Sequence, residues 1–141
     1  MKNHEQLIRE WVERINRADI EGAAALAAED LVNHAAIPEA QGRAGMVRIL
    51  GKLRTAFPDY TLTVEDLLAD GDRVVVRTRV RGTHQGPITF LKFPVAATGR
   101  KVESEQIHIF RVDGGKLAEH WAGRDDIGML RQLGVLDQLA A

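Results

Sequence analysis

The constraint that most narrows the fold is a change of hydrophobic period near residue 57. Before it, apolar residues recur every three to four positions. Leu7, Ile8, Trp11, Val12 and Ile15 form one stripe, and Met46, Leu50, Leu53 and Phe57 form another. Such stripes mark amphipathic helices. Between them, Asp19 is placed to cap a second helix with Ile20, Ala23, Ala24 and Ala27 on one face. Pro58 disfavours helix at the residue before it and ends the third helix. After it, the pattern alternates. "YTLTVEDLLADGDRVVVRTRVRGTH" is two strands turning at Asp70–Gly71–Asp72, and "KVESEQIHIFRVDGGKLAEHWAGR" turns at Asp113–Gly114–Gly115. The stretch 84–99 lacks clean alternation and is expected to be a short strand with a long loop. A last helix is expected over 126–133. Helices followed by hairpins predict an α+β fold, one domain over 1–141, with a curved antiparallel sheet around the helices and a cavity between them.

The function classes open to such a chain are bounded by its charge and cysteine content. With no cysteine, disulfides, thiolate metal sites and a thiol nucleophile are excluded. A net charge of −1 gives no electrostatic footprint for nucleic acid or membrane surfaces. The N-terminal stretch is charged throughout, so a cytoplasmic location is expected. Phosphate-binding and nucleophile-elbow glycine motifs are absent, and no two of the five histidines stand at metal-ligand spacing. Neither a metal nor a cofactor is expected.

Two stretches carry candidate chemistry. In "SEQIHIF", Ser104, Gln106, His108 and Phe110 share one strand face, while Glu103, Glu105, Ile107 and Ile109 share the other. Either the polar face lines a pocket, or the isoleucines face the core and Gln106 and His108 face water. In "EHWAGRDDIGMLRQLG", an unbroken strand would put Glu119, Trp121, Gly123 and Asp125 on one face and His120, Ala122 and Arg124 on the other. Trp121 and Asp125 would then point inward and Asp126 would cap the last helix. The converse is that Asp125 is the cap and Asp126 a first-turn acid. The chemistry differs: a cap's N–H bonds weaken a carboxylate as a base, whereas an apolar pocket strengthens it. In "VVVRTRVRG", Arg77, Arg79 and Arg81 form a solvated face. Asn33 and His34 sit at a turn, where an Asn can also orient a ligand carbonyl.

The ordered set "LVNH", "GRAGM", "FPDYTLTVEDLLADGDRVVVR", "GTHQG", "TGRKVESEQIHIFRVDGGKLAEHW" and "RDDIGMLRQLG" resembles the SnoaL-like polyketide cyclases (ester cyclases) of the nuclear transport factor 2-like superfamily over nearly the whole chain. The resemblance implies an α+β cone, a curved sheet folded around three N-terminal helices with an internal pocket. It implies a cofactor-independent enzyme in which an Asp four residues after a Trp serves as acid/base for an aldol-type closure of a polyketide ester. Trp121 and Asp125 match that spacing. The family's pocket Gln and His match Gln106 and His108, and its pocket Asn matches Asn33, with His34 adjacent. Asp125 and His108 are therefore expected to be catalytic, and Asn33, His34, Gln106 and Trp121 to bind a hydrophobic small-molecule substrate. Relatives commonly dimerise through the convex sheet, so a homodimer is expected. A noncatalytic ligand-binding module of the same fold, or an epoxide-hydrolase or hydroxylase-like enzyme, is the alternative.

Overall fold

The computed structural model describes residues 3–35 and 38–139. Helix α1 (His4–Asn16) opens with a capping box, Asn3 and Gln6 each accepting the other's backbone N–H. Its stripe Leu7, Ile8, Trp11, Val12 and Ile15 is buried as the spacing requires. Asp19 caps the short helix α2 (Ile20–Ala24) by accepting from the Gly22 N–H. Helix α3 (Gly42–Ala56) buries Met46 and Leu50 and stops before Pro58. Among the described residues no helix is long and apolar enough to cross a membrane.

Five strands form one curved sheet in the order β1-β5-β4-β3-β2. They are β1 (Ala27–Asn33), β2 (Thr61–Asp70), β3 (Arg73–Thr83), β4 (Lys101–Asp113) and β5 (Lys116–Arg124). Both hairpins turn where the glycines place them, with Gly71, Gly114 and Gly115 at positive φ. The second helix is shorter than its stripe suggests. Ala27 does not extend it; Ala27 begins β1, which pairs in parallel with β5 at the sheet edge. Residues 84–100 hold only an isolated bridge between Ile88 and Val95 rather than a strand. Chain end and sheet are joined by α4 (Asp126–Leu133), packed on β4, and a final turn of helix α5 (Leu136–Leu139).

The helices lie on one sheet face. Val74, Val76, Thr78 and Val80 of β3 and His108, Phe110 and Val112 of β4 point toward them and are buried. The other face carries Arg77, Arg79 and Arg81, paired across the strands with Asp66, Glu65, Glu103 and Glu105. These pairs are largely solvated and each adds little stability.

Candidate active site

Between the helices and the concave face lies a cavity whose walls are mostly apolar: Ile15, Met46, Leu50, Leu53, Phe57 and Leu62 among them. Its volume is about 110 Å3, several times the ~10–15 Å3 that one water needs. Into this apolar space the sheet projects one line of polar side chains. Gln106 and His108 project from β4, His120 from β5 and Asn33 from the end of β1, and all four line the cavity. His108 Nε2 lies 2.9 Å from the Gln106 amide, His108 Nδ1 lies 2.9 Å from His120 Nε2, and His120 Nδ1 lies 2.9 Å from Asn33 Oδ1. Tyr60, just before β2, is buried and hydrogen-bonds Gln106 from the other end.

Burial sets the electrostatics of this line. Desolvation, then the Arg124 charge, push His108 down to about 4. Desolvation, then the charges on His108 and Arg124, push His120 down to about 3. Both imidazoles are therefore neutral at pH 7. Burial pushes the Tyr60 phenol up to about 12, so it too is neutral. The ring of Trp11 stands edge-on to both His108 and Phe110, at 5.9 and 5.1 Å between centroids.

Asp125 and Asp126 both line the cavity where β5 gives way to α4. Asp125 is the cap: its Oδ1 accepts from the Gly128 N–H at 2.8 Å. The expectation that Asp126 caps the helix is corrected. Asp126 is the first helical residue, with its Oδ1 3.9 Å from Arg124 Nε. A Cβ at residue 128 would come within 2.2 Å of Asp125 Oδ2, so glycine there keeps the carboxylate's room. Asp125→Ala is expected to cost about 0.5–2 kcal/mol. Asp126→Ala, losing only a first-turn charge, should cost less, roughly 0.3–1 kcal/mol. Thermal melts of the two variants check the order; the reverse order would mean that the cap lies at residue 126.

Trp121 and His34 do not face the cavity. Trp121 lies on the convex face, where the His34 ring stacks on it at 4.9 Å and the Arg73 guanidinium lies 4.6 Å from its ring centroid. Glu119 ties this cluster together: its carboxylate lies 2.6 Å from His34 Nε2 and 2.9 Å from Arg111 Nε. The physical reason is a β-bulge. Val112 pairs with Leu117, but Arg111 pairs with Glu119, so Ala118 is an extra residue. One inserted residue turns every later side chain of β5 to the opposite face. His120, Ala122 and Arg124 thereby point inward and Trp121 outward.

Sequence reasoning missed His120, Tyr60 and Arg124. The first and last were legible as one strand face, but an unbroken strand places that face outside. Tyr60, the chain's only tyrosine, follows the Pro58 helix stop and carried no pattern of its own. Arg124 stands opposite Gln106 in the ladder. Its contacts are long, 3.4 Å to the Ala35 carbonyl and 3.9 Å to Asp126, which leaves its guanidinium available at the cavity's exposed end. Among the described residues no group of three or more His, Asp or Glu converges as a metal site.

Comparison with known proteins places this geometry. The chain is 28% identical to the aklanonic acid methyl ester cyclase DnrD of Streptomyces peucetius, over 95% of this chain and 92% of that one. Among solved structures it is similar to TsrD from Streptomyces laurentii, with a TM-score of 0.84 and 27% identity over 96% of this chain and all of that one. It is also similar to IdmH from Streptomyces antibioticus, with a TM-score of 0.76 and 34% identity over 92% and 97% of the two chains. The sheet wrapped on its helices is the SnoaL-type form of the nuclear transport factor 2-like fold. The family model for SnoaL-like polyketide cyclase matches residues 5–133, and the chain belongs to that family.

Proposed function

We propose that the protein is a cofactor-independent cyclase or isomerase. It closes or rearranges a hydrophobic, polyketide-like small molecule by acid/base chemistry, with Asp125 as general acid/base and His108 as its catalytic partner. The observation that carries this reading is an apolar cavity holding one continuous polar line and a carboxylate at its exposed end.

A carbon flanked by carbonyls is acidic because its carbanion is delocalised as an enolate. One positioned base then supplies much of the rate. Asp125 takes the C–H proton, and the bond pair stays on the substrate. The enolate carbon attacks a second carbonyl, and the resulting alkoxide takes the proton back. Although Asp125 is the cap, its Gly128 N–H bond engages Oδ1 and Oδ2 takes the proton, which suffices because the substrate C–H is itself acidic. Arg124 faces the oxygen on which charge develops, and the surrounding apolar wall strengthens that attraction. Asn33 and Gln106 orient the substrate through the polar line. His34 and Trp121 take no part in binding.

The test is exchange at carbon. A hydrophobic 1,3-dicarbonyl in D2O should incorporate deuterium at its activated carbon faster with the protein than without it, read by proton NMR. Saturable binding with no faster exchange would leave only a binding module. A second reading has its own observation: Arg124, Asp125 and Asp126 adjoin at one end of the cavity, the set an epoxide hydrolase needs. Ring opening of a hydrophobic epoxide to a diol, without carbon exchange, would favour that reading.

We also propose a homodimer formed through the convex face. Leu68 and Ile107 are 68% and 47% exposed there, beside alternating Arg and Glu residues that a two-fold partner can complement. Light scattering at micromolar concentration should give twice the chain mass of 15.6 kDa. A single chain mass overturns it.

A further inference from the structure

The polar line has a direction, and its direction can be read from one backbone group. Asn33 Oδ1 accepts the Ala35 N–H at 3.0 Å. A backbone N–H only donates, so it is the oxygen of the Asn33 amide that faces this way. The same oxygen lies 2.9 Å from His120 Nδ1, which must therefore carry the hydrogen. In a neutral imidazole Nε2 is then bare, and it accepts from His108 Nδ1 at 2.9 Å. His108 Nε2 is bare in turn. The structure places Gln106 Oε1 at 2.9 Å from it, and two acceptors cannot bond, so with both rings neutral the amide must turn over and offer its N–H instead. The Gln106 oxygen is then turned to the Tyr60 hydroxyl. Every donor points from Tyr60 toward Asn33.

With the Gln106 amide as the structure places it, Oε1 faces His108 Nε2. The line then ends in an acceptor at both ends. Three hydrogen bonds between those ends need three N–H groups from two imidazoles, which requires one extra proton. Both arrangements keep the three bonds from Gln106 to Asn33; in the second the Tyr60 O–H gives up Gln106 as its acceptor. They differ by one proton and a half-turn of the Gln106 amide, after which its N–H donates to the Tyr60 oxygen.

We infer that the His108–His120 pair is a store for a single proton, filled when negative charge develops on a ligand in the cavity and emptied when that charge is discharged, with Gln106 turning over to keep every hydrogen bond. His120 and Asn33 are positioning residues that set the tautomer of His108. The charged and titratable groups facing the pair are Arg124 from β5, Asp125 and Asp126 from the start of α4, and Tyr60, while His34 acts on it from the convex side. Helices α1 and α3 present Trp11, Met46, Ile49 and Leu50, which carry no charge. With the cavity empty, burial and Arg124 oppose the extra proton. An enolate in the cavity supplies the counter-charge.

The inference rests on the carbanion chemistry proposed above. Only a proton moves. The C–H pair stays on the substrate as enolate, and the proton passes from Asp125 to the Nε2 lone pair of His108. When the acceptor carbonyl has become an alkoxide, that N–H bond breaks and the proton goes to the oxygen.

The test uses the full chain with 15N-labelled histidine and dimedone, a cyclic 1,3-diketone that is anionic at pH 7.5. In the free protein, long-range 1H–15N spectra should show His108 and His120 neutral and protonated at Nδ1. Calorimetry in two buffers of different ionisation heat should show about one proton taken up per dimedone anion bound. Gln106→Met should bind the anion with proton uptake reduced several-fold, about 0.2 or less. Asn33→Asp should hold the pair protonated before ligand is added, and so lose the uptake as well. Acid titration of the free protein is a second arm: the two imidazoles should share one proton and move together. An Nε2–H tautomer at His120, binding without uptake, or independent titration of the two rings overturns the store. If dimedone does not bind while the tautomers and shared titration are as stated, the store stands and the proposed function loses its support.

Discussion

Asp125→Asn is expected to lower turnover by about 10²–10⁴-fold, the usual worth of a positioned general base, and to leave the melting temperature almost unchanged. The two halves of this expectation come from different atoms. The Oδ1 that accepts the Gly128 N–H survives in asparagine, and Asn caps helices about as well as Asp. The fold therefore keeps α4 in place, and the side chain keeps its size. What disappears is an ionisable oxygen able to take a proton from carbon. The effect belongs in kcat with KM little changed, because the base acts on the transition state more than on the bound substrate. Carbon exchange in D2O and thermal melting, run on the same preparation, check both halves. Full exchange activity in a folded Asp125→Asn would exclude Asp125 as the base. Loss of activity together with a large drop in melting temperature would show that the cap, rather than the proton, was what the substitution removed. Asp125→Ala cannot separate these, since it removes cap and base at once.

The parts of the fold legible in the sequence were those set by neighbours in the chain. The α1 stripe, the Pro58 stop and the two glycine turns are local signals, and each stands where it was read. Strand β1 was not legible, because its partner is β5, some ninety residues away, and parallel pairing leaves no hairpin signature. Ala27 fits a short helix as well as an edge strand; long-range pairing decides. The site shows the same division. Gln106 and His108 lie on one face of an unbroken strand, so alternation grouped them correctly. Beyond Ala118 the grouping held, with His120, Ala122 and Arg124 together, but the side on which they fall was inverted. A bulge leaves no mark in the pattern of β5 itself. It shows only when the register of β4 against β5 is known. The consequence for chemistry is large: a Trp leaves the pocket, and a His and an Arg enter it.

Lowering the pH from about 7.5 to 4.5 is expected to remove about 2–3 kcal/mol of stability for each member of the buried histidine pair. The sign follows from the direction of the shift. An unfolded chain holds its histidines near the ordinary value of 6.5, whereas burial and Arg124 hold His108 at about 4. Between those values the unfolded state binds the proton and the folded state resists it. Stability is complete above about 6.5 and falls as the pH descends toward 4. His120, held at about 3, refuses a second proton still longer, since His108 already carries charge beside it. The carboxylates that the fold holds below their ordinary range, Asp19, Asp59 and Glu119, weaken the protein only at lower pH. Their loss begins only at the foot of the histidine window, below about pH 5. His84, also lowered by burial, falls inside it. Urea unfolding at half-unit steps of pH, with wild type beside a His108→Gln/His120→Gln double variant, distinguishes the two sources. The variant is weaker at neutral pH, but the comparison is of slopes. A flat profile from 6.5 to 4.5 in the variant against a falling one in wild type assigns the loss to the pair. Equal slopes would transfer it to His84, and a flat wild type would mean that the pair is hydrated and accepts protons freely.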